Sequence, residues 1–242
     1  MNKTHNQVHI LAFGAHADDV EVGAGGTILH YTNQNKQVGI VDLTKSERSS
    51  NGTPAARAIE ATKAAGILGV SFRTTLDFPD GDVTVSKKAI ATILELIRKH
   101  TPEIILAPYW VDRHPDHVAT SLIVKNAALK AGMSAIQTDH APHKARAVLY
   151  YMLHNEFAPD ITIDISKYIE TKMQAVKSYS SQFEFTKTQH KTAINCGRFT
   201  TYISARSEVL GYNIGTNFGE GFAVSEQRVG MTDFEHFYSK PL

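Results

Sequence analysis

Four times within the first 135 residues a short apolar run gives way to a stretch of helical patterning, and that rhythm leaves few architectures open. VHILAFG (8–14) is almost wholly apolar and closes on glycine, as a strand covered on both faces does. Residues 19–34 suit a helix, with Val20, Ile28 and Leu29 apolar among small residues. QVGIVDL (37–43) reads as a second strand, followed by the loop KSERSSNGTP. A helix follows over 55–68, with Pro54 in its first turn, where a missing N–H is harmless. SFRTTLDF (71–78) is a third strand and SKKAIATILELIRKH (86–100) an amphipathic helix. EIILAPY (103–109) is a fourth strand, and 116–131 a helix entered through HPDH. The alternation predicts an α/β fold: a mostly parallel sheet, helices on both faces, right-handed crossovers.

The second half is less regular. RAVLYYML (146–153) and DITIDIS (160–166) read as strands, Ser166 as the cap of a helix running through Tyr179, and 183–197 as a polar, mobile loop. With no repeat, low-complexity tract or linker, residues 1–242 read as a single domain with a C-terminal elaboration. Lys plus Arg total 25 against 24 Asp plus Glu, so no broad field invites nucleic acid or an anionic membrane. The one cysteine, Cys196, excludes an internal disulfide and any CxxC site. No long apolar span or signal-peptide pattern is present, so the expected location is the cytoplasm. Of the twelve histidines, His5, His9, His30 and His100 fit surface or strand-edge positions.

Two polar clusters each follow a predicted strand directly: HADD after the first and DRHPDH after the fourth. In a parallel sheet, ligands bind beyond the carboxyl ends of the strands, so the two clusters should meet. Two histidine nitrogens and a carboxylate oxygen form a common zinc set that leaves room for water. His16 and Asp19, three apart, can face one point if the strand turns into a helix there, and His117 would complete the set. Asp18 would stand beside the metal as a general base. His114, if cationic, would stabilise a developing oxyanion, with Asp116 holding it protonated or orienting a ring. The blander alternatives are that Asp18 or Asp19 only caps a helix and that Pro115 only starts one.

AHADD together with PYWVDRHPDH resembles the LmbE-like (PIG-L) family of zinc-dependent N-deacetylases, and the likeness runs on through TKSERSSNGTPAARAIEA to FGEGF. Within it, AHADD, the SSNGT loop and DRHPDH look most like the branch that deacetylates N-acetylglucosaminyl-malate on the route to bacillithiol. The resemblance implies a Rossmann-like fold and one zinc per chain on His16, Asp19 and His117, although iron(II) suits the same ligands. It also implies Asp18 as base, His114 as a cation oriented by Asp116, and a homo-oligomer, a hexamer or trimer. The partner implied is a small N-acetylglucosaminyl substrate. Alternatives are a chitooligosaccharide or inositol-conjugate deacetylase, or a non-catalytic sugar- or nucleotide-binding module.

Several further residues are candidate substrate contacts. Arg57 would face the same sheet edge, where related enzymes bring an arginine to substrate; otherwise it is a solvated partner of Glu60 or Glu47. Arg113 could grip a malate carboxylate bidentately, or pair with Asp112 or Asp116. The SSNGT loop offers Ser49, Ser50 and Asn51, and Glu220 in GEGF could bind a sugar hydroxyl or cap a strand. Tyr179 and Phe183 read as packing. Tyr202 is a candidate for a hydroxyl over the centre, and Phe199, three residues earlier, marks a departure from the pattern the resemblance implies for that hydroxyl. GAGG (23–26) is no dinucleotide fingerprint, since the first strand-to-helix turn is GAHADD; its glycines suit close helix packing.

Overall fold

A computed structural model describes residues 7–187 and 189–224. Five parallel strands form the core of one sheet: β1 (Ile10–Gly14), β2 (Val38–Thr44), β3 (Phe72–Phe78), β4 (Ile104–Pro108) and β5 (Ala147–Tyr151). Two further strands, β6 (Ile161–Asp164) and β7 (Gly219–Val224), extend it, with β7 antiparallel to both β5 and β6. The order is β3-β2-β1-β4-β5-β7-β6. From β1 the chain winds outward through β2 and β3, then returns to the other side of β1 for β4 and β5. The winding direction therefore reverses between β1 and β4, and at such a reversal a crevice opens beyond the carboxyl ends of the strands.

The central strands are buried on both faces, which is why they read as continuous apolar runs rather than alternating ones. Four helices alternate with the first five strands: α1 (Asp19–Thr32), α2 (Pro54–Leu68), α3 (Lys87–His100) and α4 (Pro115–Ala131). One core layer gathers Ile10, Val20, Ile28, Ile40 and Leu68 with Tyr151 and Tyr179. The opposite layer joins Leu11, Phe13 and Val41 to Ile93 and Ile97 of α3 and Ile123 and Val124 of α4. Thr53 caps α2 by accepting from the Ala56 N–H, and Pro54 takes the first helical position. Among the described residues no helix is long and apolar enough to cross a membrane.

The C-terminal part departs most from the sequence reading. Among the described residues three helices lie here: α5 (Ile169–Lys177), the single turn α6 (Ser180–Phe183) and α7 (Arg198–Tyr212). Ser166 does not cap α5, which starts three residues later; its hydroxyl donates to Asp164 instead. Patterning does not reveal α7, because its buried face mixes Ile203 and Leu210 with Arg206, Ser207 and Gly211. That arginine is spent on backbone carbonyls, donating to Leu153 O at 2.7 Å. The 183–197 segment is tied down where described: Asn51 and Asn195 both donate to His190 O at 2.8 Å.

The glycines of α1 serve close packing. A Cβ at Gly23 would lie 2.0 Å from the Tyr151 ring, and one at Gly26 2.8 Å from Ile165. The Tyr151 hydroxyl donates to Phe13 O at 2.7 Å, so its ring has little freedom to retreat. Gly23→Ala is therefore expected to cost about 1–3 kcal/mol through overpacking, despite alanine's better helix propensity. Chemical denaturation would check this, and an unchanged or raised midpoint would show that helix and sheet can separate.

Candidate metal-binding active site

The two polar clusters meet. The turn after β1 brings His16, Asp18 and Asp19 to the crevice, and the start of α4 brings His114, Asp116 and His117 to the same place. Asp19 Oδ1 lies 3.2 Å from His117 Nε2, and its Oδ2 lies 3.7 Å from His16 Nδ1. Oδ2 also accepts the N–H groups of Ala15 and His16, at 2.8 and 3.0 Å, which fixes the carboxylate. Donor nitrogens of His16, His114 and His117 all lie within 4.8 Å of one another.

The outer nitrogen of each candidate ligand imidazole, His16 and His117, faces carboxylate. His16 Nε2 is 3.0 Å from Asp80 and 3.3 Å from Asp116, and His117 Nδ1 is 3.0 Å from Asp112. A proton held on the outer nitrogen leaves the inner lone pair for a metal, a pairing that recurs around metal-bound histidine. The donors suit a divalent cation: two directed imidazoles and one fixed carboxylate within a strongly acidic setting. Without an ion, burial pulls both imidazoles toward neutrality, but the surrounding carboxylates outweigh it. His16 is held well above the usual histidine range, and His117 at about 9.

Asp18 stands apart from this set. Its backbone adopts φ 126°, an uncommon conformation for a residue with a side chain, and its carboxylate makes no helix-capping bond. Instead it accepts from Arg57 Nη1 at 3.2 Å, while Arg57 also donates to Ala17 O and lies over the Tyr179 ring. Burial raises the Asp18 carboxyl to about 6; the Arg57 charge opposes that rise and the Asp19 charge adds to it. Arg57 thus reaches the cavity as a buried partner of Asp18, not as the solvated arginine that Glu60 or Glu47 would have held.

The ring that Asp116 faces is that of His16, not that of His114. Its side chain does not reach the His114 ring. It accepts from Gly81 N–H at 2.7 Å, Val83 N–H at 3.2 Å and His16. His114 is held by the backbone N–H of Asp116, which donates to its Nδ1 at 3.3 Å. Nδ1 is then an acceptor and the proton sits on Nε2. Burial, with the neighbouring imidazoles His117 and His16, lowers its pKa, which opposes the cation expected of it.

Other candidates are distributed unevenly. A cavity of about 230 Å³ includes Ser49, Ser50 and Arg57 in its lining, but not Asn51, Arg113, Tyr202 or Glu220. Glu220 is buried elsewhere, accepting from Gly26 and Thr27 N–H and pairing with Lys172 at 2.6 Å, so it is no sugar ligand. Tyr202 donates to Glu156, and Phe199 is the residue that lines the cavity. Tyr179 is packed in the core as expected, its hydroxyl donating to Glu21, whereas Phe183 also faces the cavity. Asp80, Asp112, Arg48 and His154 escape the sequence reading as site residues. Asp80 and His154 follow β3 and β5 as HADD follows β1, so the same strand-end rule could have found them.

Over residues 11–128 the sequence matches the family described as PIG-L, GlcNAc-PI de-N-acetylase. It is 32% identical over 199 residues to diacetylchitobiose deacetylase of Thermococcus kodakarensis, covering 76% of this chain and 73% of that protein. The chain belongs to the PIG-L family. It is accordingly a metal-dependent deacetylase, a hydrolase of amide bonds. A probable N-acetyl-alpha-D-glucosaminyl L-malate deacetylase 2 of Bacillus anthracis is 26% identical over 201 residues, or 77% of this chain and 86% of the relative. The conserved protein TT1542 of Thermus thermophilus shares the fold with a TM-score of 0.84 at 29% identity, over 93% of this chain and 98% of that one.

The raised His16 and His117 have a measurable consequence. A metal must displace a proton from each imidazole at pH 7, so binding should release protons and tighten as pH rises toward about 9. Calorimetric zinc titrations in buffers of different ionisation enthalpy would count those protons; none released at pH 7 would contradict the site.

Proposed function

We propose that this chain removes the acetyl group from an N-acetylglucosaminyl saccharide, with one zinc ion per chain held by His16, Asp19 and His117. The observation that carries this reading is the convergence of those donors beside Asp18, a buried carboxylate outside the ligand set. When bound, the ion supplies Lewis acidity toward water and the amide carbonyl; iron(II) would serve the same donors.

The rest falls to the chain's own groups. Asp18, near 6, is a carboxylate at pH 7 yet basic enough to take a proton from the attacking water. Water adds to the acetyl carbon, the C–N bond breaks, and the proton passes from Asp18 to the departing nitrogen, leaving a free amine and acetic acid, which gives up its proton to solution as acetate. Arg57 keeps the Asp18 carboxylate aimed and restrains its pKa. His114 offers its Nε2–H to the carbonyl oxygen as negative charge grows there. It does so as a neutral imidazole, which needs no proton from solution at neutral pH.

The cavity wall supports an uncharged aglycone. Ser49, Ser50 and Gln182 are neutral donors and acceptors, and Arg48 is already paired with Asp82 at 2.6 Å. Phe183 and Phe199 offer an apolar face to a sugar ring. The relative named diacetylchitobiose deacetylase supports the same choice. A malate conjugate draws support from the Bacillus relative, but Arg113, the residue suited to its carboxylate, does not line the cavity.

Acetate and amine release by zinc-loaded enzyme should be compared on diacetylchitobiose, N-acetylglucosaminyl-malate and an N-acetylglucosaminyl-inositol. The expected order by kcat/KM puts diacetylchitobiose first. Faster turnover of the malate conjugate would overturn the neutral aglycone, and no acetate from any would overturn deacetylation. Asp18→Asn should lower kcat by about 10²–10⁴ while zinc stays bound; full turnover would remove Asp18 as base. Because Asp18 must be ionised to accept a proton, activity should fall as pH drops below about 6, tenfold per unit for a single group. A rate independent of pH between 4 and 6 (roughly two decades of expected loss) would rule that out.

A further inference from the structure

The sequence alone offers Asp112 only as an ion-pair partner for Arg113, and the reaction above makes no use of it. Its carboxylate is nevertheless fully engaged beside the metal site. Only 2% of its side chain is exposed. Oδ1 accepts the His114 N–H at 2.8 Å and faces His117 Nδ1 at 3.0 Å. Oδ2 accepts the His154 N–H at 3.0 Å and the Asn155 N–H at 3.4 Å. A carboxylate has about four acceptor positions, and here all are taken. Those hydrogen bonds, made despite burial, hold its pKa well below the usual carboxylate range.

These four contacts join two loops that are far apart in sequence. One follows β4, carries His114 and leads into the first turn of α4 with His117; the other follows β5 and carries His154. The His154 ring lies nearly parallel to the His117 ring, with centroids 5.5 Å apart and an 18° interplanar angle, and it lines the cavity. Burial, reinforced by His117 and Arg113, pushes His154 down to about 4, so it is an uncharged wall.

We propose that Asp112 is a positioning residue with two linked tasks: it fixes which ring nitrogen His117 presents to the metal, and it holds the His154 turn against that ring. The proposal rests on the metal site proposed above. An imidazole carries one proton when neutral, and a carboxylate facing Nδ1 keeps that proton on Nδ1, so Nε2 remains a lone pair aimed at Asp19 and the ion. Only an acceptor without hydrogens serves both sides. An asparagine amide must turn its NH₂ toward one pair of donors. If it faces His117, Nδ1 can accept, the ring proton moves to Nε2, and the metal loses its ligand. If it faces the 154–155 turn, two backbone N–H groups meet an amide donor and the turn is displaced.

The test is zinc affinity of full-length Asp112→Asn, measured by competition with a chromophoric chelator, beside kcat and KM at saturating zinc. Affinity is expected to fall about 10–100-fold, with KM raised and kcat at saturating zinc changed less than affinity. Asp160→Asn provides the structural control: Asp160, just before β6, accepts the Val224 N–H at 2.7 Å and does not line the cavity. Its variant should shift thermal stability but leave zinc affinity unchanged. Wild-type affinity in Asp112→Asn would overturn the proposal while leaving the metal site intact. No zinc binding by wild type, or undiminished binding by His117→Ala, would instead overturn the site itself. Equal losses of affinity in the Asp112 and Asp160 variants would reduce Asp112 to a generic structural role.

Discussion

The parallel pairing of β1 with β4 is the constraint on which the site depends. Ile10 opposite Ile104, and Leu11 opposite Ile105, fix the register of two strands separated by almost a hundred residues. That register sets the heights at which the two chains leave the sheet. A parallel ladder between strands buried on both faces resists slippage, because a one-residue shift would exchange the two core layers. Of the proposed ligands, Asp19 and His117 therefore sit in the first turns of α1 and α4, and His16 in the short turn that leaves β1.

Around that rigid pair the chain gathers carboxylates. Asp18, Asp19, Asp80, Asp112 and Asp116 all crowd the crevice, with Arg57 the buried guanidinium beside them. Such density of negative charge is unfavourable for an empty protein and suited to a cation. The division of labour follows from what each oxygen touches. Asp19 faces both inner nitrogens, Asp80, Asp112 and Asp116 face outer ones, and Asp18 faces an arginine. Residues of one chemical type thus acquire three roles through placement alone.

Much of this is legible in the sequence. Strands β1 to β5 and the helices between them follow from local patterning, since buried strands read as apolar runs and Pro54 marks a helix start. The convergence of HADD with DRHPDH follows from topology. What patterning cannot show is long-range side-chain choice. Asp116 stands two residues from His114, yet its carboxylate is drawn to Gly81, Val83 and His16 on other segments. Glu220 looks like a sugar ligand only because its partners, Gly26, Thr27 and Lys172, lie far away in sequence. Helix α7 hides its buried side behind Arg206 and Ser207, whose polar groups find backbone carbonyls inside the protein.

The backbone at Asp18 has a wider implication. A side-chain-bearing residue at φ 126° carries roughly 1–3 kcal/mol of conformational strain, and glycine alone would be comfortable there. Glycine, however, brings no carboxylate. Selection for thermal robustness and selection for turnover must therefore pull this one position in opposite directions. Under the proposed role of Asp18, hardening the protein by relaxing its backbone here would remove the carboxylate on which turnover depends.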